Sequence, residues 1–219
     1  MAELYVFDRE GVTLPEGTAE RLPGWRRQIF DRLKNENARQ ESLCAGLLYA
    51  YVLERHGVPR DAAVERLPAG RPVLAGRDDL WFSLSHSGRY VLCAVSGQPV
   101  GADVQEIRTV RRSIVRRFHP TERTWLERLP EEEQNAALFR LWTRKEAWVK
   151  AVSGERMLSL AEADVIHALP GLRFRDYMLT GGYAAAVCAA EGEELPLPEE
   201  VKPAALMAAQ QGDSGGLMP

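Results

Sequence analysis

Residues 142–150 read WTRKEAWVK. They lie in a longer run, 131–154, that opens on three acids and stops at Gly154, which complements a helix dipole and predicts a helix. Residues i and i+4 share a helix face, so Trp142, Glu146 and Lys150 form one stripe. A surface Glu–Lys pair of this spacing stabilises by only ~0.3–0.5 kcal/mol. Trp142, Ala147, Trp148 and Val149 also call for burial, and a half-buried carboxylate needs a partner. Either the pair is solvated, or Glu146 meets a hard cation such as Mg²⁺ while Lys150 reaches for phosphate oxygens.

Working outward, GYAAAVCAA (182–190) and LRFRDYML (172–179) predict short closing strands, as does VIHAL (165–169). Upstream, RTVRRSIVRRFHPTERTWLERL (108–129) is broken at Pro120. WFSLS (81–85), YVLCAVSG (90–97) and VGADVQEI (100–107) read as strands, the last two joined by an SGQP turn. LPAGRPVLAGRDDL (67–80) reads as a loop and residues 22–57 as helical, ending at Gly57. ELYVF (3–7) opens the chain as a strand. Each half thus has a strand, a long helix and a β-rich close, which suggests two similar subdomains, 1–99 and 100–192. From 193 to 219 the composition turns to Glu, Pro, Ala, Gly and Gln, the signature of an extension and a disordered tail.

Composition narrows the function classes. The chain has 219 residues, 45% of them apolar, and a net charge of −3, so no global charge argues for nucleic acid or a membrane surface. The cations are mostly arginines, which suit planar recognition of phosphates and carboxylates. Cys44, Cys93 and Cys188 are far apart in apolar runs, which argues against disulfides or a zinc site and for a reducing, cytoplasmic setting. The N-terminus lacks a signal-peptide pattern, and no apolar run reaches the ~18 residues of a membrane span.

Three more segments could carry chemistry. On a strand 100–107, Asp103 and Gln105 share a face and Glu106 takes the other. Asp103 sits among apolar residues, so it pairs with an arginine or caps a turn, or it binds a metal. In SLSHSG (83–88), Ser85, His86 and Ser87 could bind a phosphate, form a satisfied polar turn, or supply a Ser/His nucleophile pair. Adjacent strand residues rarely point at each other, and no G-x-S-x-G elbow is present. Arg108, Arg111, Arg112, Arg116 and Arg117 form either a solvated face or a docking patch for an acidic partner.

In order and spacing these segments resemble the 4′-phosphopantetheinyl transferases of the surfactin-synthetase-activating type. The family pattern is a G-[KR]-P loop, an SHS motif, a G-x-D-x-E strand and a W-[ST]-x-K-E-A-x-x-K helix. The chain supplies GRP (70–72), FSLSHS (82–87), VGADVQ (100–105), RRFHPTE (116–122) and WTRKEAWVKA (142–151). KNENARQESLCAGLL (34–48) also resembles the family's helical opening, and the likeness covers roughly residues 1–190. Each motif alone is common; five in this order are specific.

The resemblance implies an α/β fold of the α+β kind, with two similar subdomains related by a pseudo-twofold axis. Each would be a small, mostly antiparallel sheet packed with a long helix. It implies Mg²⁺-dependent transfer of the 4′-phosphopantetheine arm from coenzyme A to a serine of an apo acyl or peptidyl carrier protein. The other product would be 3′,5′-ADP, and the enzyme would act as a monomer. Asp103, Glu146 and Gln105 would hold the metal. Lys150 would contact the diphosphate, Arg71 and His86 the 3′-phosphate, and Ser85 the nucleotide. Arg39 is a looser match to the phosphate region, and Lys145 is open between ligand contact and support. Glu146 or a metal-bound water would take the serine proton. Arg111, Arg112, Arg116 and Arg117 would dock the carrier.

One position departs from the pattern. Where the family strand reads D-x-E, this chain has Gln105, whose amide oxygen can ligate Mg²⁺ but adds no negative charge. Weaker metal binding is expected. The rival readings are a non-catalytic coenzyme A-binding regulatory homologue and an unrelated hydrolase using Ser85 or Ser87 with His86.

Overall fold

The computed structural model describes residues 1–109, 112–195 and 197–208. Its first half holds strand β1 (Glu3–Asp8), helices α1 (Gly24–Arg32) and α2 (Glu36–Arg55), and strands β2 (Val64–Arg66), β3 (Pro72–Leu74), β4 (Trp81–Ser87) and β5 (Tyr90–Ser96). The second half holds β6 (Gly101–Glu106), α3 (Pro120–Arg128), α4 (Glu131–Val152), β7 (Leu172–Leu179) and β8 (Tyr183–Ala190). The chain then adds β9 (Glu199–Glu200) and α5 (Pro203–Ala208). The fold is α+β.

One sheet runs β4-β5-β1-β9, antiparallel except for the parallel β1–β9 pair, and a second runs β6-β8-β7, all antiparallel. Strand alternation divides the side chains among three cores. Tyr5, Phe7, Val91, Cys93 and Val95 point to α2. Leu4, Val6, Leu92 and Ala94 meet Ala102, Val104, Ala185 and Val187 in a core shared by both sheets. Ala184, Ala186 and Cys188 point to α4, with Phe139, Ala147 and Trp148. Asp103 and Gln105 alternate with Ala102 and Val104, which puts them on the opposite face of β6 from the shared core.

Several local readings change. The helical stretch 22–57 is two helices, because Asn35 leaves the run and its Oδ1 accepts from Ala38 N at 3.0 Å to cap α2. The GRP segment is not only loop, since β3 pairs with β2. VIHAL is not a strand: the Val165 N–H goes to Glu122 Oε1 at 2.8 Å instead of to a neighbouring strand. Pro120 starts α3 at its first turn, where its missing N–H costs nothing. Beyond Gly192 the chain returns to the first half, where β9 pairs with β1 and Val201 and Leu206 enter the α2 core. The expected disordered end, 209–219, lies outside the described residues. All three cysteines are free and buried, and among the described residues no helix is long and apolar enough to cross a membrane.

Candidate active site

Edge strands β4 and β6 meet through three serines. Ser83, Ser85 and Ser87 each accept from a β6 N–H, at Ala102 (3.0 Å), Val104 (3.3 Å) and Glu106 (3.1 Å). The period of two in S-x-S-x-S matches the period of the strand, so hydroxyls stand in for the backbone acceptors that an edge strand lacks. This ladder joins the two sheets and fixes the register of Asp103.

Asp103 is 2% exposed. Its Oδ1 accepts from Lys150 Nζ at 2.7 Å and from Ser85 Oγ at 2.7 Å, and its Oδ2 accepts from Gln105 Nε2 at 3.1 Å. Lys150 Nζ also donates to Ala102 O at 3.0 Å. Helix α4 can bring Lys150 this close because residue 101 is glycine. A Cβ there would lie 1.9 Å from Ala147 O and 2.6 Å from Ala151 N, inside the α4 backbone.

Glu146 is half-buried and forms no hydrogen bond or ion pair among the described residues. Burial pushes its carboxyl above the usual range and the Asp103 charge pushes the same way, while Lys150 and Arg117 pull it down. Two carboxylates that repel each other across a helix–strand contact, with an amide beside them, match the hard oxygen donors of Mg²⁺. Among the described residues no three His, Cys, Asp or Glu side chains gather as a metal site.

Beside Lys150 opens a cavity of about 350 Å³, lined by Arg26, Arg66, Arg71 and Lys150 and by Trp25, Phe82 and Leu158, among others. Arg71 is buried. It donates to Ala151 O and to Val100 O (3.0 Å) and stacks 4.8 Å from the Trp81 ring. Burial lowers its guanidinium to about 10, and no carboxylate pairs with it among the described residues. Arg26 is a cavity residue that the sequence reading missed. It donates to Ser42 O at 3.0 Å, its Nε is buried with no partner, and burial lowers it to about 10. Cations left unpaired beside an open cavity suit an anion. The only signal in the sequence was an arginine next to Trp25 in an amphipathic helix, which reads as surface.

The remaining expected residues divide. His86 Nδ1 lies 3.0 Å from Glu41 Oε2, with Arg26 and Lys150 near enough to act on the ring's charge. Ser85 has its hydroxyl taken by Asp103 and Val104. Neither Ser85 nor Ser87 hydrogen-bonds His86, because neighbours on a strand face opposite ways, so the nucleophile pair is absent. Arg39 turns elsewhere. It donates to Phe30 O and Leu33 O at the end of α1, stacks on Phe30, and does not line the cavity.

Lys145 is 0% exposed and pairs with Glu122 Oε2 at 2.6 Å, also 0% exposed. Its other donors go to Leu160 O (2.5 Å) and Ala163 O (2.7 Å), so none is left for a ligand. Burial lowers its ammonium, against the pull of Glu122. The signal for Glu122 was H-P-T-E, a helix start with an acid three residues past the cap; Glu122 Oε2 accepts from His119 N at 3.0 Å. Arg116 and Arg117 are exposed on the segment 112–117. Arg111 and the Arg112 side chain lie outside the described residues.

This is the order of motifs, now with its geometry: an acidic strand, a K-E-A helix and an arginine-rich cavity. Residues 99–191 match the 4′-phosphopantetheinyl transferase superfamily. The matched region carries Asp103, Gln105, Glu146 and Lys150 but not the cavity residues of the first half. The chain is also similar to individual members along stretches that extend the likeness. It is 32% identical to the 4′-phosphopantetheinyl transferase gsp of Aneurinibacillus migulanus, over 58% of this chain and 54% of that one. It is 30% identical to the 4′-phosphopantetheinyl transferase Sfp of Bacillus subtilis (strain 168), over 60% and 63%. It is 37% identical to the 4′-phosphopantetheinyl transferase HetI of Nostoc sp., over 44% and 43%. The chain thus covers about two-fifths to three-fifths of the length of these relatives.

Proposed function

We propose that the protein transfers the 4′-phosphopantetheine group of coenzyme A to a serine of an apo acyl or peptidyl carrier protein, releasing 3′,5′-ADP, as a cytoplasmic monomer. The observation that carries this reading is the meeting of Asp103, Glu146 and Lys150 beside a cavity with unpaired arginines.

The cavity cations bind the nucleotide phosphates, and Trp25, Phe82 and Leu158 give its apolar walls. Arg71 bridges the end of α4 and the start of β6, so the ligand sits where the two halves meet. Asp103, Glu146 and Gln105 would hold Mg²⁺, which when bound neutralises charge on the diphosphate. Glu146 accepts the hydrogen of the attacking serine. The serine oxygen forms a bond to the phosphorus that carries the pantetheine arm. The bond from that phosphorus to the bridging oxygen breaks, and the electron pair leaves with 3′,5′-ADP. Lys150 Nζ, placed one turn from Glu146, stabilises that leaving charge. Lys145 and Glu122 support α4 from behind. Arg116 and Arg117, both exposed, offer an acidic carrier a docking surface.

The test is mass spectrometry of a panel of apo carriers incubated with the protein, coenzyme A and Mg²⁺. Gain of the phosphopantetheine mass on the carrier serine is expected. If coenzyme A binds and no carrier gains mass, the protein is a coenzyme A-binding regulatory homologue, the rival reading that Gln105 motivates.

A further inference from the structure

The Glu41–His86 contact has no part in the reaction described above. Glu41 lies on α2 and is held from two sides. Its Oε1 accepts from Asn37 Nδ2 at 2.9 Å and from Arg9 Nη2 at 3.4 Å, and Arg9 itself donates to Gly88 O and Asn37 Oδ1. Its Oε2 faces His86 Nδ1 at 3.0 Å. An ionised carboxylate only accepts hydrogen bonds, so Nδ1 must carry a proton. The neutral ring then has a bare lone pair on Nε2, and a phosphate oxygen, also an acceptor, cannot hydrogen-bond to it.

We propose that Glu41 is a positioning residue that makes nucleotide binding proton-linked: it holds the first proton of His86 on Nδ1, so a phosphate monoester can engage Nε2 only as the ring takes up a second proton. This rests on the reading of the cavity as a nucleotide site. The charged groups around the ring agree. Glu41 from α2 favours the imidazolium. Partial desolvation of a ring whose side chain is still 36% exposed, Arg26 from α1 and Lys150 from α4 oppose it, and the net effect holds free His86 below the ordinary histidine value. Arg9, at the end of β1, is screened from the ring by the Glu41 carboxylate that it contacts. His86 is outside the cavity lining but follows Leu84, a lining residue, by two positions on β4 and so shares its face. A dianionic phosphate reaching from Arg26 and Lys150 to the ring reverses that balance. The sign follows: the proton is held more tightly in the complex, so the His86 contribution to binding is strongest at low pH, down to about pH 6, where the phosphate itself takes up a proton. Affinity falls as pH rises from the free-state value of His86 to its bound-state value, and levels off above it.

The probe is 3′,5′-ADP, titrated calorimetrically at about pH 7.5, where its phosphates are dianionic, in buffers of differing ionisation heat. Wild type should take up about one proton per nucleotide bound, and uptake should fall to near zero in both H86N and E41Q, because a glutamine accepts either ring tautomer. Uptake unchanged in E41Q, or none in wild type that binds the nucleotide, overturns the proposal and leaves the transferase reading standing. No binding of 3′,5′-ADP to wild type overturns both. A measurement that needs no variant to bind is the imidazole nitrogen spectrum of the free wild-type protein, which has four histidines. The Nδ1–H tautomer is expected for His86, and the Nε2–H tautomer would overturn the proposal.

Discussion

Lys150 Nζ stands 2.7 Å from Asp103 Oδ1 and ties the last turns of α4 to the middle of β6. Asp103 Oδ1 also receives Ser85, and Oδ2 receives the Gln105 amide. Two halves of the chain therefore converge on one buried carboxylate, and three predictions concern the contacts around it.

Glu146→Gln should lower carrier modification by at least about 10²-fold, since it removes both the proton acceptor and a metal-ligand charge. Folding should be almost unaffected, because Glu146 has no partner to lose among the described residues and its burial disfavours the charge. Carrier mass gain and thermal melting, run side by side, check both halves. A large drop in Tm would show that Glu146 holds the fold.

Gln105→Glu adds a third carboxylate on the Asp103 face of β6. Divalent-metal affinity should rise, measured by calorimetric titration of the protein without coenzyme A. An unchanged affinity would mean that residue 105 does not reach the metal.

Gly101→Ala pushes a methyl into the carbonyl of Ala147. Strand and helix must separate, at a cost of about 1–3 kcal/mol or more, and the Asp103–Lys150 contact should loosen with them. Denaturant unfolding should show the loss of stability, and transfer should fall further than the unfolded fraction alone explains.

Lys145→Met leaves the Glu122 carboxylate buried without its cation and frees two carbonyls, at Leu160 and Ala163. Breaking one side of a buried ion pair costs about 3–5 kcal/mol. Urea midpoints should show a loss of this order. A loss under about 1 kcal/mol would mean that the pair contributes as little as a surface ion pair.

Reversing Arg116 to glutamate should raise KM for the carrier several-fold and leave KM for coenzyme A unchanged, because its side chain is exposed and outside the cavity lining. Steady-state kinetics with each substrate varied in turn makes the comparison. Equal or absent effects on both would make this a solvated face.

Most of the element order, and which residues share a face at the candidate site, were legible in the sequence. Alternation in VGADVQ put Asp103 and Gln105 on one face, helical spacing put Glu146 and Lys150 on another, and the order of five motifs pointed to the family. These are local periodicities, set by the backbone alone. What each side chain meets depends on packing between distant segments. Ser85 looked like a ligand and is a rung between two sheets. Lys145 sits beside Glu146 in sequence, yet it turns to a carboxylate 23 positions upstream. Arg39 closes a helix, whereas Arg26, which no spacing marked, lines the cavity with a buried nitrogen left unpaired. The physical reason is that burial and hydrogen-bond satisfaction are properties of neighbours brought from elsewhere in the chain. A strand or helix period says which way a side chain points, and the packing of β6 against α4 across Gly101 says what it finds there.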